Sequence, residues 1–142
     1  MTQLTLEDAE ALGFTIGSTL RHNGEIISSI RSGDVAVSLT EFVPGTKGGW
    51  QPAHYHEHAR EQYMVLRGYV VLAFCTEIGA YMQPVKHGVG TRFTVEPRCP
   101  HSLLLSPDAV LLTVTSGGDA LDWHASPELD EHIKKLQKER ML

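Results

Sequence analysis

Most of this sequence consists of short segments with the composition of β-strands, separated by glycine and proline. The clearest of them is 35–43, where the apolar residues Val35, Val37 and Leu39 alternate with other residues before Pro44 ends the run. Alternation with a period of two is typical of a strand. The predicted strands are 19–20, 25–30, 35–43, 62–66, 69–74, 81–86, 92–95, 101–105 and 110–115. Many short strands at regular spacing predict an all-β sandwich or barrel.

A helix is predicted at each end of this β region. The first covers 5–12, where Thr5 can cap the N-terminus and Gly13 can end the helix. The second covers about 126–140, with Ser126 as the N-cap and proline at the first helical position. Its apolar face consists of Leu129, Ile133 and Leu136. We expect this helix to lie over the barrel or a partner subunit, with its charged residues in solvent.

Length and charge exclude several classes of function. The chain has 142 residues, which fits a single domain, 1–142, with a core of its own. The net charge of −5 argues against nucleic acid as a partner, because phosphate binding needs a basic surface. No apolar run approaches the ~18 residues of a membrane span. The N-terminus lacks the pattern of a signal peptide, and Cys75 and Cys99 do not form a CxxC motif. We therefore expect a cytoplasmic protein with reduced cysteines.

The chemistry of the chain is concentrated in residues 48–68. Gly48, His54, His56, Glu61 and Gly68 follow one another there with the spacing G-x5-H-x-H-x4-E-x6-G. Two histidines at i and i+2 lie on the same face of a strand, and a carboxylate five residues later can return to that face after a short turn. Imidazole and carboxylate together suit Fe, Mn, Ni, Co or Zn.

A second histidine stretch, 90–101, follows at the distance that a partner strand would need. The stretch 48–68 resembles the first conserved motif of the cupin superfamily, and each defining position is filled. The second cupin motif is usually written G-x5-P-x-G-x2-H-x3-N. Aligned on its histidine, Gly90 and His101 match, whereas Glu96, Arg98 and Leu105 replace the proline, glycine and asparagine. These departures concern the shape of the turn before His101.

The resemblance implies a fold and a metal site. The fold is a double-stranded β-helix, the jelly-roll barrel of the cupins, with a barrel core at about 19–116. By position, one divalent transition metal per chain (Fe, Mn, Ni, Co or Zn) is bound by His54, His56, Glu61 and His101. Four ligands leave about two positions of an octahedral metal open, so that small molecules can coordinate directly. Open positions are typical of catalytic metal sites.

Four further residues are candidates for substrate contacts. Tyr63 shares the strand face of Glu61, so it is either an acid–base group or an aromatic residue of the barrel wall. Arg98 stands near the barrel mouth where glycine is usual, and it could bind an anionic substrate. Trp50 and Gln51 flank the first motif and could line the pocket.

Three functions are compatible with these residues. The first is a metal-dependent enzyme, a dioxygenase or an isomerase or lyase, that acts on a small polar organic molecule. The second is a binding or sensing module that uses the metal to hold a ligand. The third is a metal-independent sugar isomerase or epimerase of cupin fold. Small cupins often pair through edge strands, and the segment 19–43 offers an edge, so we expect a homodimer.

Overall fold

The computed structural model describes residues 5–139 of the chain. Within these residues the structure contains a helix near each end and strands between them. The helices are α1 (Leu6–Ala11) and α2 (Pro127–Lys138). The strands are β1 (Thr15–Leu20), β2 (Glu25–Ser32), β3 (Val35–Phe42), β4 (Gly49–Trp50), β5 (His54–Tyr55), β6 (Arg60–Arg67), β7 (Val70–Phe74), β8 (Val85–His87), β9 (Arg92–Val95), β10 (His101–Leu105), β11 (Val110–Ser116) and β12 (His124–Ala125).

The strands form two antiparallel sheets. The first has the order β1-β2-β3-β11-β6-β9, and the second has the order β12-β5-β10-β7-β8, with β4 also paired to β10. Strands distant in sequence are therefore neighbours: β11 lies between β3 and β6. The predicted all-β architecture of two layers is confirmed.

The main core lies between the two sheets. Leu103 and Leu105 of β10 and Val70 of β7 pack there against Val65 of β6 and Leu111 of β11. All five side chains are almost completely buried. Burial of one such side chain contributes about 1.5–3 kcal/mol. This core fills one part of the barrel. Polar residues of β6 and β11 line a cavity in the other part.

Helix α2 packs on the second sheet. Leu129 and Ile133 are buried against Ala53 and Ala73, as the predicted apolar face requires. The Asp130 carboxylate, which we expected in solvent, accepts a hydrogen bond from the backbone N–H of Ala53 at 2.9 Å. Helix α2 therefore holds the chain immediately before β5.

Both predicted helix starts are found. Thr5 and Asp8 form a reciprocal capping box on α1. Ser126 occupies the N-cap of α2, but its side chain makes no capping hydrogen bond. No helix among residues 5–139 is long and apolar enough to span a membrane.

The strand predictions were wrong in places. Strand β1 begins at Thr15, earlier than the predicted residue 19. All its side chains are exposed, so its sequence lacks the alternation of apolar and polar residues that burial of one face produces. The predicted strand 81–86 is replaced by Val85–His87, because Tyr81 forms only an isolated bridge with Cys75 after a turn. Strands β4, β5 and β12 have two residues each, which is too short for a periodic pattern.

The alternating apolar residues of β3 face outward. Val35 and Val37 are exposed, whereas Thr40 and Phe42 are buried. The inward face of this strand is partly polar because it lines the cavity described below.

Candidate metal centre

Four side chains, three from residues 54–61 and one from β10, converge beside the cavity. His54 lies on β5, Glu61 on β6 and His101 on β10, and His56 follows directly after β5. His54 and His101 are paired residues of neighbouring strands. Each of the four residues offers one ligand atom, and these atoms all lie within 4.8 Å of one another. The structure thus brings together the four ligands predicted from the sequence.

The three imidazole rings are oriented by backbone carbonyl groups. Nδ1 of His54 donates to the carbonyl oxygen of Pro52 at 2.9 Å, and Nδ1 of His101 donates to that of Cys99 at 2.9 Å. Nδ1 of His56 donates to the carbonyl oxygen of Asp122. A carbonyl oxygen can only accept, so each Nδ1 carries a proton and each Nε2 is the available ligand atom. Such outer hydrogen bonds are typical of histidines that bind metals.

The contacts of Glu61 show that a cation fits among these groups. Glu61 Oε1 lies 2.9 Å from Nε2 of His56 and 3.0 Å from Nε2 of His101. In a neutral imidazole protonated at Nδ1, Nε2 presents a lone pair to the carboxylate, which is repulsive unless a proton or metal ion lies between them. Nε2 of His56 is buried and has no hydrogen-bond partner among the described residues. The donor set therefore fits a divalent transition metal.

The protonation states of His54 and Glu61 also suit metal ligands. Burial lowers the pKa of His54, and the neighbouring His101 lowers it further, to about 3. Burial alone would raise the pKa of Glu61, but the contacts with His101 and His56 outweigh it and bring the pKa well below its usual range. Burial lowers the pKa of His56 while the Glu61 carboxylate raises it, and the net effect is a raised pKa. At neutral pH His54 is therefore neutral and Glu61 ionised.

Asp122 is a structural residue of the site that the sequence did not reveal. Its carboxylate accepts hydrogen bonds from the backbone N–H groups of Glu57, His58 and Ala59 at 2.8–2.9 Å. Burial alone would raise the pKa of Asp122, but these N–H donors lower it to about 2. Asp122 thus stays ionised and fixes the turn between His56 and Glu61.

Three of the four candidate ligands, His54, His56 and Glu61, border a cavity of about 180 Å³, and His101 contacts Glu61 next to it. Trp123 covers one side, where its ring stacks on His54 with ring centres 5.3 Å apart. The opposite wall is polar: Ser38 and Tyr63 are both paired with Thr113 across β3, β11 and β6, and all three residues line the cavity. Room for about six water molecules, at ~30 Å³ each, limits the cavity to a small molecule.

Two of the other four candidate residues lie at the cavity and two lie elsewhere. Tyr63 and Gln51 line the cavity, but Trp50 and Arg98 are not among the described residues that border it. Trp50 packs instead against the cluster beneath α2. Arg98 has a positive φ of 62°, the backbone conformation that glycine adopts easily, and its N–H donates to the carbonyl oxygen of His56. The backbone of Arg98 therefore contacts the site region.

Tyr63 is almost completely buried beside Glu61. Burial raises the pKa of its hydroxyl well above the usual range, and the charge of Glu61 raises it further. The phenol is therefore protonated throughout the physiological pH range.

Comparison with known proteins identifies the fold. No protein-family model matches the sequence, and a search of the curated proteins finds no significant match. Among solved structures, oxalate decarboxylase from Bacillus subtilis at pH 4.6 is similar with a TM-score of 0.65 and 18% sequence identity. A second structure of that enzyme, from work assigning the electron paramagnetic resonance parameters of its Mn(II) centres, gives a TM-score of 0.64 and 19% identity. Both alignments cover 78% of this chain and 30% of the other.

The protein is therefore a β-barrel of the cupin fold with a His-His-Glu-His group beside its cavity, as the sequence predicted. This chain spans 30% of the length of the oxalate decarboxylase chains. At 18–19% identity, the similarity establishes the fold and leaves the reaction open.

Proposed function

We propose that the protein is a metal-dependent enzyme that acts on a small polar organic molecule coordinated directly to the metal. The observation that supports it best is the convergence of three oriented imidazoles and one ionised carboxylate, whose ligand atoms lie within 4.8 Å of one another beside a cavity of about 180 Å³. The Mn(II) centres of the structurally similar oxalate decarboxylase also favour a divalent metal. The candidate reactions are those of a dioxygenase or of an isomerase or lyase.

The residues of the chain have separate roles in this proposal. His54, His56, Glu61 and His101 hold the metal, which when bound supplies a Lewis acid for substrate oxygens. Tyr63 holds a proton on Oη beside Glu61, and its raised pKa makes it a hydrogen-bond donor that keeps this proton at neutral pH.

The cavity wall completes the proposed site. Ser38 and Thr113 offer hydroxyl groups to the middle of a bound molecule, and Trp123 limits the access of water beside His54. These contacts position the substrate without taking part in bond making.

Metal content measured by mass spectrometry tests the proposal. The untagged protein is reconstituted with Mn(II), Fe(II) or Zn(II) beside the variants His54→Ala and His101→Ala. We expect about one metal ion per chain in the wild type and its loss in both variants. His22→Ala, which removes an exposed histidine outside the cavity, is the matched control and should retain the metal.

The identity of the metal directs the search for a substrate. Retention of iron leads first to oxygen-uptake assays with candidate substrates, and retention of zinc leads to assays of isomerases and lyases. A wild type that takes up no metal after reconstitution would overturn the proposal. The metal-independent sugar isomerase would then be the better interpretation.

We further propose that the protein is a homodimer formed through the outer face of the first sheet. Ile16, Ile30 and Val37 are paired across β1, β2 and β3 and form an exposed apolar row on that face. Light scattering coupled to size exclusion tests this, and a species of only 15.7 kDa would refute it.

A cytoplasmic location is also proposed, supported by the two free thiols, Cys75 and Cys99.

A further inference from the structure

A second charged group lies beside the cavity, away from the candidate metal ligands. Arg21, in the turn between β1 and β2, lines the cavity together with Gln51. Its Nη1 lies 3.7 Å from Oε2 of Glu25, and Nε2 of Gln51 donates to the same oxygen at 3.4 Å. The three side chains thus form a cluster, which we call the Arg21 cluster, with Glu25 behind and Arg21 at the cavity.

Glu25 holds Arg21 in place without using up its donors. The Glu25 side chain is completely buried, and its contact with Arg21 is longer than a hydrogen bond. The guanidinium has five N–H donors in a planar fork, and the structure gives its side chain no hydrogen bond to any of residues 5–139. The other Glu25 oxygen, Oε1, is buried and has no partner among the described residues.

Gln51 is fixed by its backbone next to the candidate metal centre. Its N–H donates to the carbonyl oxygen of Leu103 at 2.8 Å, and its own carbonyl oxygen accepts from Oγ of Ser102 at 2.6 Å. Both partners lie on β10, the strand that carries His101. Gln51 is therefore attached to the strand that carries His101, and Arg21 and Gln51 line the same small cavity as His54, His56 and Glu61.

The charge of this cavity favours an anion. A divalent metal with neutral imidazoles and one carboxylate has a net charge of +1, and Arg21 adds a second positive charge. Glu25 offsets Arg21 only while it is ionised, and its burial disfavours the ionised form. A planar guanidinium with free donors binds a carboxylate through two parallel hydrogen bonds.

We propose that Arg21 anchors a carboxylate group of the substrate while another oxygen of the same molecule reaches the metal centre. This inference rests on the proposed function and narrows its substrate class to small carboxylic acids with a second oxygen function. Glu25 is a positioning residue, because it contacts Arg21 from behind and does not border the cavity.

The test compares acids with their amides. Glycolate, lactate and 3-hydroxypropionate, and the amide of each, are titrated calorimetrically into protein loaded with Mn(II). The two members of a pair share the hydroxyl oxygen and hardly differ in size, but only the acid has a carboxylate. For the tightest acid we expect binding about tenfold or more stronger than for its amide, as a charge-assisted pair requires.

The variants assign this preference to one side chain. Arg21→Gln should abolish the preference for the acid. Arg92→Gln, which removes an exposed arginine outside the cavity, should retain it. Because Arg21→Gln leaves Glu25 without its cation, the double variant Arg21→Gln with Glu25→Gln removes both charges together and should also lose the preference.

The metal content of the same samples separates two kinds of failure. A wild type with one metal ion per chain and equal affinity for acid and amide would overturn the role of Arg21 and leave the proposed function intact. A preference for the acid that persists in Arg21→Gln and in the double variant would also overturn the role of Arg21. A wild type that binds no metal would overturn the proposed function and, with it, a substrate that spans both groups.

Discussion

His56 and Asp122 are linked across 66 positions of the chain. The carbonyl oxygen of Asp122 accepts the Nδ1–H of His56, and the Asp122 carboxylate accepts the N–H groups of the three residues that follow His56. The orientation of one candidate metal ligand and the path of the chain toward Glu61 thus depend on the same residue.

Replacement of Asp122 by alanine should weaken metal binding. The N–H groups of residues 57–59 lose their acceptor, which costs about 1–3 kcal/mol of unfolding free energy. The Asp122 carbonyl that orients His56 remains in the alanine variant, so we expect a loss of metal affinity of about tenfold, at the lower end of the range for supporting contacts. Competition with a chelator measures the affinity. Asp119→Ala removes the same charge from the same loop and should leave the affinity unchanged, and an equal loss in both variants would contradict a specific role for Asp122.

Gly48→Ala should destabilise the barrel more than Gly33→Ala. Both glycines have a positive φ, which costs an alanine about 1–2 kcal/mol. At Gly48 a Cβ atom would also lie 2.4 Å from the carbonyl oxygen of Leu105, whereas Gly33 has open space. This overlap with backbone adds about 1–3 kcal/mol. Chemical denaturation measures the unfolding free energy of both variants. Equal losses of unfolding free energy would show that β10 can move away from the added Cβ atom at little cost.

Truncation of Leu129 should show how strongly α2 is attached. Leu129 is 1% exposed beneath the helix, so Leu129→Ala should cost about 2–5 kcal/mol of unfolding free energy. Leu121 is 86% exposed, and Leu121→Ala should change the unfolding free energy by no more than about 0.5 kcal/mol. A small effect of Leu129→Ala in thermal unfolding would mean that α2 contributes little to the stability of the barrel.

Glu25→Gln should stabilise the protein more at neutral pH than in mild acid. Burial raises the pKa of Glu25 above its value of 4.5 in a free chain, although Arg21 and the amide of Gln51 offset part of this shift. The folded protein then binds the proton more tightly than the unfolded chain, so its stability falls as pH rises above 4.5. The glutamine has no charge to bury.

Melting temperatures measured between pH 4.5 and pH 7 test the sign of this pH dependence of stability. The difference between Glu25→Gln and the wild type should grow from pH 4.5 to pH 7. Glu10→Gln, at an exposed position on α1, should show no such trend. A difference that shrinks with rising pH would mean that Arg21 stabilises the ionised form of Glu25.

The sequence was most informative where the site is local. Three of the four candidate ligands lie within residues 54–61, so their spacing predicted that they share one face, and a recognisable second motif supplied His101. Arg21 reaches the cavity only through the pairing of distant strands, and Asp122 reaches the ligand segment only through the path of a loop. No local period or motif marks either residue, so neither could be predicted from the sequence.

The strand pattern predicted the class of fold better than the orientation of its faces. In β3 the apolar alternation marks the outer surface, while Ser38 and Thr40 face inward around the cavity. Next to the polar cavity the usual relation between apolar residues and the interior is reversed, so Val35 and Val37 lie on the outer surface. Which face points inward is settled by the neighbouring strands and cannot be inferred from one strand alone.

The position of β11 between β3 and β6 determines when the metal centre can form. Residues 110–116 must pair with residues 35–42 and 60–67 before the barrel closes, and contacts of such long range carry a high entropic cost of loop closure. The segment 54–61 by itself holds three candidate ligands but lacks His101 and the Asp122 carbonyl that orients His56. We expect the barrel to fold slowly, and we expect tight metal binding to be a late event of folding that only the closed barrel can support.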